Sequence, residues 1–199
     1  WPRLLKKWLM ACIHCGLGKG ENQAMLLLIG DQGKGKTTWI NMLCPNDLVK
    51  YSHTGHIEVS LNSESTQNRL AEMFWLNIDD QLGNALHKDV QGFKGIVSAV
   101  AVTNRKKFHK SNKRRPRRAN MCGSVNETAI FSDHENRRYL AFKMASNAAP
   151  IDWKGISSID MNQLWAELWE EYKKDKSGSW KVNPEDFAII NAMCAKFTR

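Results

Sequence analysis

No uninterrupted apolar stretch in the 199 residues approaches the roughly 18 that a membrane-spanning helix needs. The chain therefore reads as soluble, with no membrane partner. Cysteine is sparse, odd in number at five, and irregularly spaced. That argues against a secreted disulfide framework and for a reducing compartment, with the cytoplasm expected. Cys12 and Cys15 form a C-x-x-C, but neither a second C-x-x-C nor an H-x-x-x-H recurs to complete a zinc site. Two helical core thiols are the expectation. Internal repeats are absent, and one basic run is the only biased segment. The N-terminal "WPRLLKKWLMACIHCGLGKG" mixes basic and apolar residues as a signal peptide does, yet lacks a small-x-small cleavage pattern. Its apolar residues Leu4, Leu5, Trp8, Leu9 and Ile13 follow helical spacing instead. Because the chain starts at Trp1 rather than Met, a piece of something longer, or a processed product, is expected.

What is present is a globular composition, 42% apolar with scattered aromatics. The length suits one sizeable core, as one domain or a domain with an appendage. The formal charge is +9, and residues 105–118, "RKKFHKSNKRRPRR", carry nine Lys and Arg with no acid, so this run holds the entire excess. Charge concentrated in that way creates a local potential suited to a polyanion. The apolar segments "GIVSAVAV" and "ANMCGSV" flank the run, so it interrupts a folded core and reads as a protruding hairpin. A disordered basic loop without a partner is the alternative.

Gly30-Asp31-Gln32-Gly33-Lys34-Gly35-Lys36-Thr37 fits G-x-x-x-x-G-K-[ST], with Thr38 following. The apolar run Met25 to Ile29 has strand length, and "TTWINML" reads as a helix, so the motif sits in the strand, loop, helix order that phosphate binding requires. Glycines let main-chain N–H groups wrap a phosphate, and the helix start adds partial positive charge. Gly30 to Thr38 is thus the candidate ATP cradle. Lys36 is expected to reach the β- and γ-phosphates, and the Thr37 hydroxyl to ligate Mg2+. A glycine-rich turn without a ligand is the plain alternative.

Such a loop needs a carboxylate on a neighbouring strand. In "MFWLNIDDQ", Phe74, Trp75, Leu76 and Ile78 form an apolar strand that ends in Asp79 and Asp80. Ligands of open α/β sheets bind at that strand end, so Asp79 is assigned to the metal and Asp80 to the attacking water; two aspartates opening a surface turn is the alternative. A third strand over Ala119 to Val125 ends at Asn126, suited to a γ-phosphate or water and equally to a turn. Arg137 and Arg138 lead into a fourth apolar strand, as solvated residues or as an arginine finger.

Further along, "SHTGHIEVSLNSEST", 52–66, is polar and expected to be loop. "MNQLWAELWEEYKK" places Leu164, Trp165, Leu168, Trp169 and Tyr172 on one helical face. Asn183 caps another helix with Pro184 at its first position.

The succession "LLLIGDQGKGKTTWINMLCP", "FWLNIDDQ", "FKGIVSAVAVTNRKKFHKSNKRRPRRANMCGSVNE", "DHENRRYLAF" and "IDMNQLWAELWEEYKK" resembles the virulence-associated protein E family, the helicase portions of phage, plasmid and mobile-element primase-helicase proteins. Those are related to superfamily-three helicases of the AAA+ class. The resemblance runs from about Trp8 to Phe197. It implies Walker A at Gly30 to Thr37 and Walker B at Asp79 and Asp80, where the family more often has Glu second. It also implies a sensor asparagine at Asn126 and an arginine given to the neighbouring subunit at Arg137 or Arg138. A lysine of the family falls at Lys94. The basic insert matches a DNA-contacting hairpin in a central channel, implying a homo-oligomeric, hexameric ring on single-stranded or fork DNA. Independently, Arg105, Lys106, Lys107, Lys110 and Lys113 suit phosphates, and Phe108 and His109 suit a sugar or base. Pro116 suits a sheet edge.

The resulting expectation is an α/β P-loop core of AAA+ type with a mostly parallel sheet. A helical segment occupies 1–24, the ATPase core 25–150 with its hairpin near 100–118, and a helical segment 151–199. The expected function is an ATP- and Mg2+-dependent DNA helicase motor. A small P-loop kinase and a nucleotide-gated DNA-binding module without turnover share the loop; DNA-stimulated ATPase activity separates the three.

Overall fold

A computed structural model of the chain describes residues 2–79, 82, 90–104, 113–126, 131, 138–144 and 151–198. Its centre is a five-stranded sheet built from β1 (Met25–Ile29), β2 (Ser52–Thr54), β3 (Trp75–Ile78), β6 (Asn120–Val125) and β7 (Tyr139–Lys143). The strand order is β2-β3-β6-β1-β7, and every pairing is parallel. Every residue of β1, β3 and β6 is buried. Strands buried on both faces must be covered on both faces, which makes this a layered α/β fold with helices on either side. A separate antiparallel ribbon pairs β4 (Ala101–Asn104) with β5 (Lys113–Pro116).

The helices follow the patterning. α1 (Pro2–Gly16) buries Leu4, Trp8, Leu9, Met10 and Ala11, and its Cys12 and Cys15 face the core with no exposure. Burial pushes both thiols above their ordinary pKa. α2 (Lys36–Met42) follows β1, α3 (Glu64–Glu72) precedes β3, and α4 (Val90–Val97) precedes the ribbon. After β7 come α5 (Trp153–Ser157), α6 (Met161–Lys174) and α7 (Pro184–Ala195). α6 turns Met161, Trp165 and Leu168 inward, and the Trp165 indole donates to the Leu43 carbonyl at 2.8 Å. α7 starts with a reciprocal capping box between Asn183 and Asp186. Asp186 is fully buried, pairing with Lys7 at 2.6 Å and Arg3 at 2.7 Å, and so ties α7 to α1.

The stretch 52–66, expected as loop, instead contributes β2 and the start of α3, whose Ser63 cap accepts from the Thr66 N–H. β2 is too short and polar to announce itself; it exists by pairing with β3 from Ser52↔Trp75 to Thr54↔Asn77. The described part of the basic run is not uniform in exposure. Lys113 and Arg114 are exposed on β5, but Arg117 is 0% exposed. Its guanidinium donates to the Ala119 carbonyl at 2.9 Å, the Asn22 carbonyl at 2.9 Å, the Ile96 carbonyl at 3.2 Å and the Val97 carbonyl. Those last two are carbonyls in the last turn of α4, where the helix end favours a cation; the Ile96 carbonyl also accepts from the Ala99 N–H at 3.3 Å. Arg117 therefore pins the root of the ribbon to the core.

β6 lies between β1 and β3 with no room to spare at Gly123. A Cβ there would stand 2.5 Å from the Ile78 carbonyl oxygen, a backbone atom that cannot turn aside. Gly123→Ala is expected to lower stability by about 2 kcal/mol through overpacking. Gly95→Ala, in α4, meets among the described residues only Leu61 Cδ1 at 3.7 Å and should raise stability by about 0.5–1 kcal/mol through helix propensity. Urea midpoints measured side by side check both signs.

Candidate nucleotide-binding site

Strand register assembles the site. Leu28 is level with Ser124, and Ile78 with Gly123, so the residues that follow β1, β3 and β6 emerge together at one edge of the sheet. In a parallel sheet this carboxyl edge is where ligands collect. The loop of residues 30–35 leaves β1 there, and Asp79 follows β3 at the level of Ser124. Asp79 accepts from the Thr37 hydroxyl at 2.9 Å through one oxygen and from the Ser124 hydroxyl at 3.0 Å through the other. The carboxylate is thereby fixed in rotation against the first turn of α2.

Lys36 is 5% exposed, and its ammonium donates to the Gly30 carbonyl at 2.8 Å, the Asp31 carbonyl at 2.7 Å and Asn126 Oδ1 at 2.8 Å. Three protons meet three acceptors, so this cation is held in place at the loop's mouth. Behind it, Asn41 of α2 accepts from Asn77 at 2.8 Å and from Thr54 at 3.1 Å, which fastens the helix to β3 and β2.

The loop itself needs glycine at two points. Gly33 and Gly35 have φ of 77° and 70°, a left-handed conformation that costs an L residue about 1–2 kcal/mol. Among the described residues nothing lies within 4 Å of a Cβ built on Gly33, whereas a Cβ on Gly35 would stand 2.1 Å from Cζ2 of the Trp153 indole. Trp153 opens α5, whose N-cap Asp152 accepts from the Gly155 N–H at 2.9 Å. The residues fit a phosphate and a hard divalent cation: a glycine cradle, a positioned ammonium, and a hydroxyl and carboxylate oxygen set of the kind Mg2+ prefers.

Lys36, Thr37, Asp79 and Asn126 are thus brought together. Lys113 stands on the ribbon, and Lys94 in the last turn of α4. Arg138 lies at the opposite, amino end of the sheet; its carbonyl accepts from Met25, and its Nε donates to Ser98 at 2.7 Å. Asp80, Arg137 and Arg105 to Lys110, Phe108 and His109 included, lie outside the described residues. Sequence reasoning missed two contributors. Ser124 carried a signal, being two residues before Asn126 and so on the same side of β6. Trp153 carried none, because only the fold returns it to Gly35. Among the described residues, no His, Cys, Asp and Glu cluster suits a transition metal.

The virulence-associated protein E-like domain model matches residues 2–198, almost the whole chain. The chain belongs to the virulence-associated protein E-like domain family. No curated protein matches it. This family member resembles solved structures that include the apo structure of the NrS-1 C-terminal region, 15% identical over 96% of this chain and 47% of that one, with a TM-score of 0.55. The A form of that region is 16% identical over 96% and 46%, with a TM-score of 0.56. At such identities the likeness is one of fold, and the chain spans about half the length of those structures.

The contact between Gly35 and Trp153 can be measured within the family member itself. Gly35→Ala is expected to cost about 2–4 kcal/mol, combining a disfavoured φ with the clash. Adding Trp153→Ala relieves the clash and leaves the backbone cost. A double-mutant cycle on unfolding free energies should therefore give a coupling of about 1 kcal/mol or more, and strict additivity would contradict the contact.

Proposed function

We propose that this domain is the ATP-hydrolysing motor of a replication-associated DNA helicase. One observation carries the reading: the ammonium of Lys36, the Thr37 hydroxyl, the Asp79 carboxylate and the Asn126 amide converge at the carboxyl edge of a parallel sheet, beside a glycine loop. Family membership and the cationic β4–β5 ribbon agree with it.

In this reading residues 30–38 hold the triphosphate of ATP, and Lys36 exchanges its contacts with Gly30 and Asp31 for β- and γ-oxygens. Thr37 and Asp79 hold Mg2+, which when bound supplies positive charge against the phosphate oxygens. Asp80 orients water for in-line attack on the γ-phosphorus; the bond to the β–γ bridging oxygen breaks, and phosphate leaves. Asn126 holds the γ-phosphate or that water, and Ser124 keeps Asp79 from rotating. Arg137 or Arg138 reaches the nucleotide of a neighbouring subunit in a homo-oligomeric ring, hexameric by family resemblance. That role suits the position of Arg138 away from its own chain's loop. Arg105 to Lys110 and Lys113 grip single-stranded or fork DNA through phosphate contacts.

ATP turnover with and without single-stranded DNA is the test. Lys36→Ala should reduce phosphate release to background, because its ammonium is the cation held at the loop's mouth by Gly30, Asp31 and Asn126; wild-type-like turnover in this variant would remove the reading. Lys107→Ala combined with Lys110→Ala should leave basal turnover intact and weaken single-strand binding. The slope of log affinity against log salt should become shallower by about 1.4, as two lost phosphate contacts dictate. Unchanged DNA affinity and slope would detach the ribbon from DNA.

A further inference from the structure

Two cavities open side by side at the amino end of the sheet, away from the phosphate loop. The larger, about 670 Å3, is walled by Leu48, Phe74, Trp165 and Trp169, and the smaller, about 590 Å3, by Lys50, Arg115 and Pro116. Tyr51, Glu72, Met73 and Arg118 line both, so the two make one groove. Its position follows from the chain: Tyr51 immediately precedes β2, Phe74 precedes β3, and Arg118 comes two residues before β6.

The groove has an aromatic half and a cationic half. Tyr51 is 44% exposed and Trp169 37%, although both are large enough to be worth burying. Phe74 meets Trp165 edge-on, with ring centroids 5.8 Å apart, and these two form the floor. The Lys50 ammonium stands 5.4 Å from the Tyr51 ring centroid, so a cation flanks the most open aromatic ring. Arg115 belongs to β5, and Lys113, two residues earlier on the strand, lies on the same face of the ribbon. Two carboxylates, Asp47 and Glu72, also reach the wall. Glu72 lies 3.9 Å from Arg115, the long limit of an ion pair. Both carboxylates can accept from the exocyclic amines of bases.

Aromatic faces interleaved with cations are the combination that holds single strands without regard to sequence. Each half of the groove lies within the 300–1,000 Å3 or so of ordinary ligand sites. We propose that this groove is a second contact for single-stranded DNA, in which bases pack against Tyr51 and Trp169 while Lys50, Arg115 and Arg118 take the phosphates of a strand continuing from the ribbon. The inference rests on the DNA-binding half of the proposed function and is independent of ATP turnover.

Fluorescence anisotropy with a labelled oligothymidylate and an abasic strand of equal length tests it. Tyr51→Ala with Trp169→Ala should weaken binding of the base-bearing strand about tenfold and leave the abasic strand as in wild type. Tyr51→Phe, which keeps the ring, should bind both strands like wild type. Arg115→Gln with Arg118→Gln should weaken both strands. Thermal unfolding of each variant, matched to wild type, separates loss of contact from loss of fold. If the aromatic pair changes nothing, or weakens both strands alike, the proposal is overturned and the groove belongs to a partner other than nucleic acid, while the ribbon's role stands. If wild-type protein binds neither strand, the DNA-binding half of the function falls and this inference with it.

Discussion

The path of β6 between β1 and β3 is the constraint on which the site depends. Parallel pairing on both flanks sets Ser124 level with Leu28 and one position beyond Ile78, so the ends of three strands come out at one height. From that alignment follow the two hydroxyls on Asp79 and the amide on Lys36. Gly123 makes the close approach possible, since any side chain there meets the Ile78 backbone. The polar contacts are thus a consequence of apolar packing: β1, β3 and β6 are buried throughout, and burial of that extent drives the sheet together.

Charge in this protein has two distinct uses that composition does not separate. The nine cations of 105–118 look alike in sequence, yet Arg114 faces solvent and Arg117 lies in the interior among main-chain carbonyls. This buried guanidinium, with no carboxylate bonded to it among the described residues, is acceptable because its donors are matched to oxygens, two of them at a helix end. Lys36 is held by the same logic, with two carbonyls and an amide oxygen satisfying its ammonium. The structural cation ends in a rigid fork that grips many acceptors at once. The loop cation is a flexible point charge, suited to changing partners.

Much of the fold was legible in the sequence because its central strands are short, continuous apolar runs and its last two helices carry periodicity or a cap. β1 matches the expected Met25 to Ile29, β6 starts one residue later than expected, and the Asn183–Pro184 start of α7 is where the cap predicts it. The loop, Asp79 and Asn126 were legible because each sits at the end of such a strand. β2 was not, since three polar residues form a strand only when β3 offers them an edge. Nor were Trp153 and Arg117, whose roles depend on which remote backbone they meet: Gly35 for one, Asn22 and the end of α4 for the other. Local pattern reports how a segment is built, and tertiary contact decides what its side chains touch.

One further consequence belongs to β6 alone. Six residues of extended chain span about 20 Å and have almost no give along their length. At one end the strand is bolted by Arg117 beside the ribbon; at the other it carries the amide that grips Lys36. One extended strand therefore joins the root of the ribbon to the mouth of the loop, and the two anchors cannot be placed independently of each other.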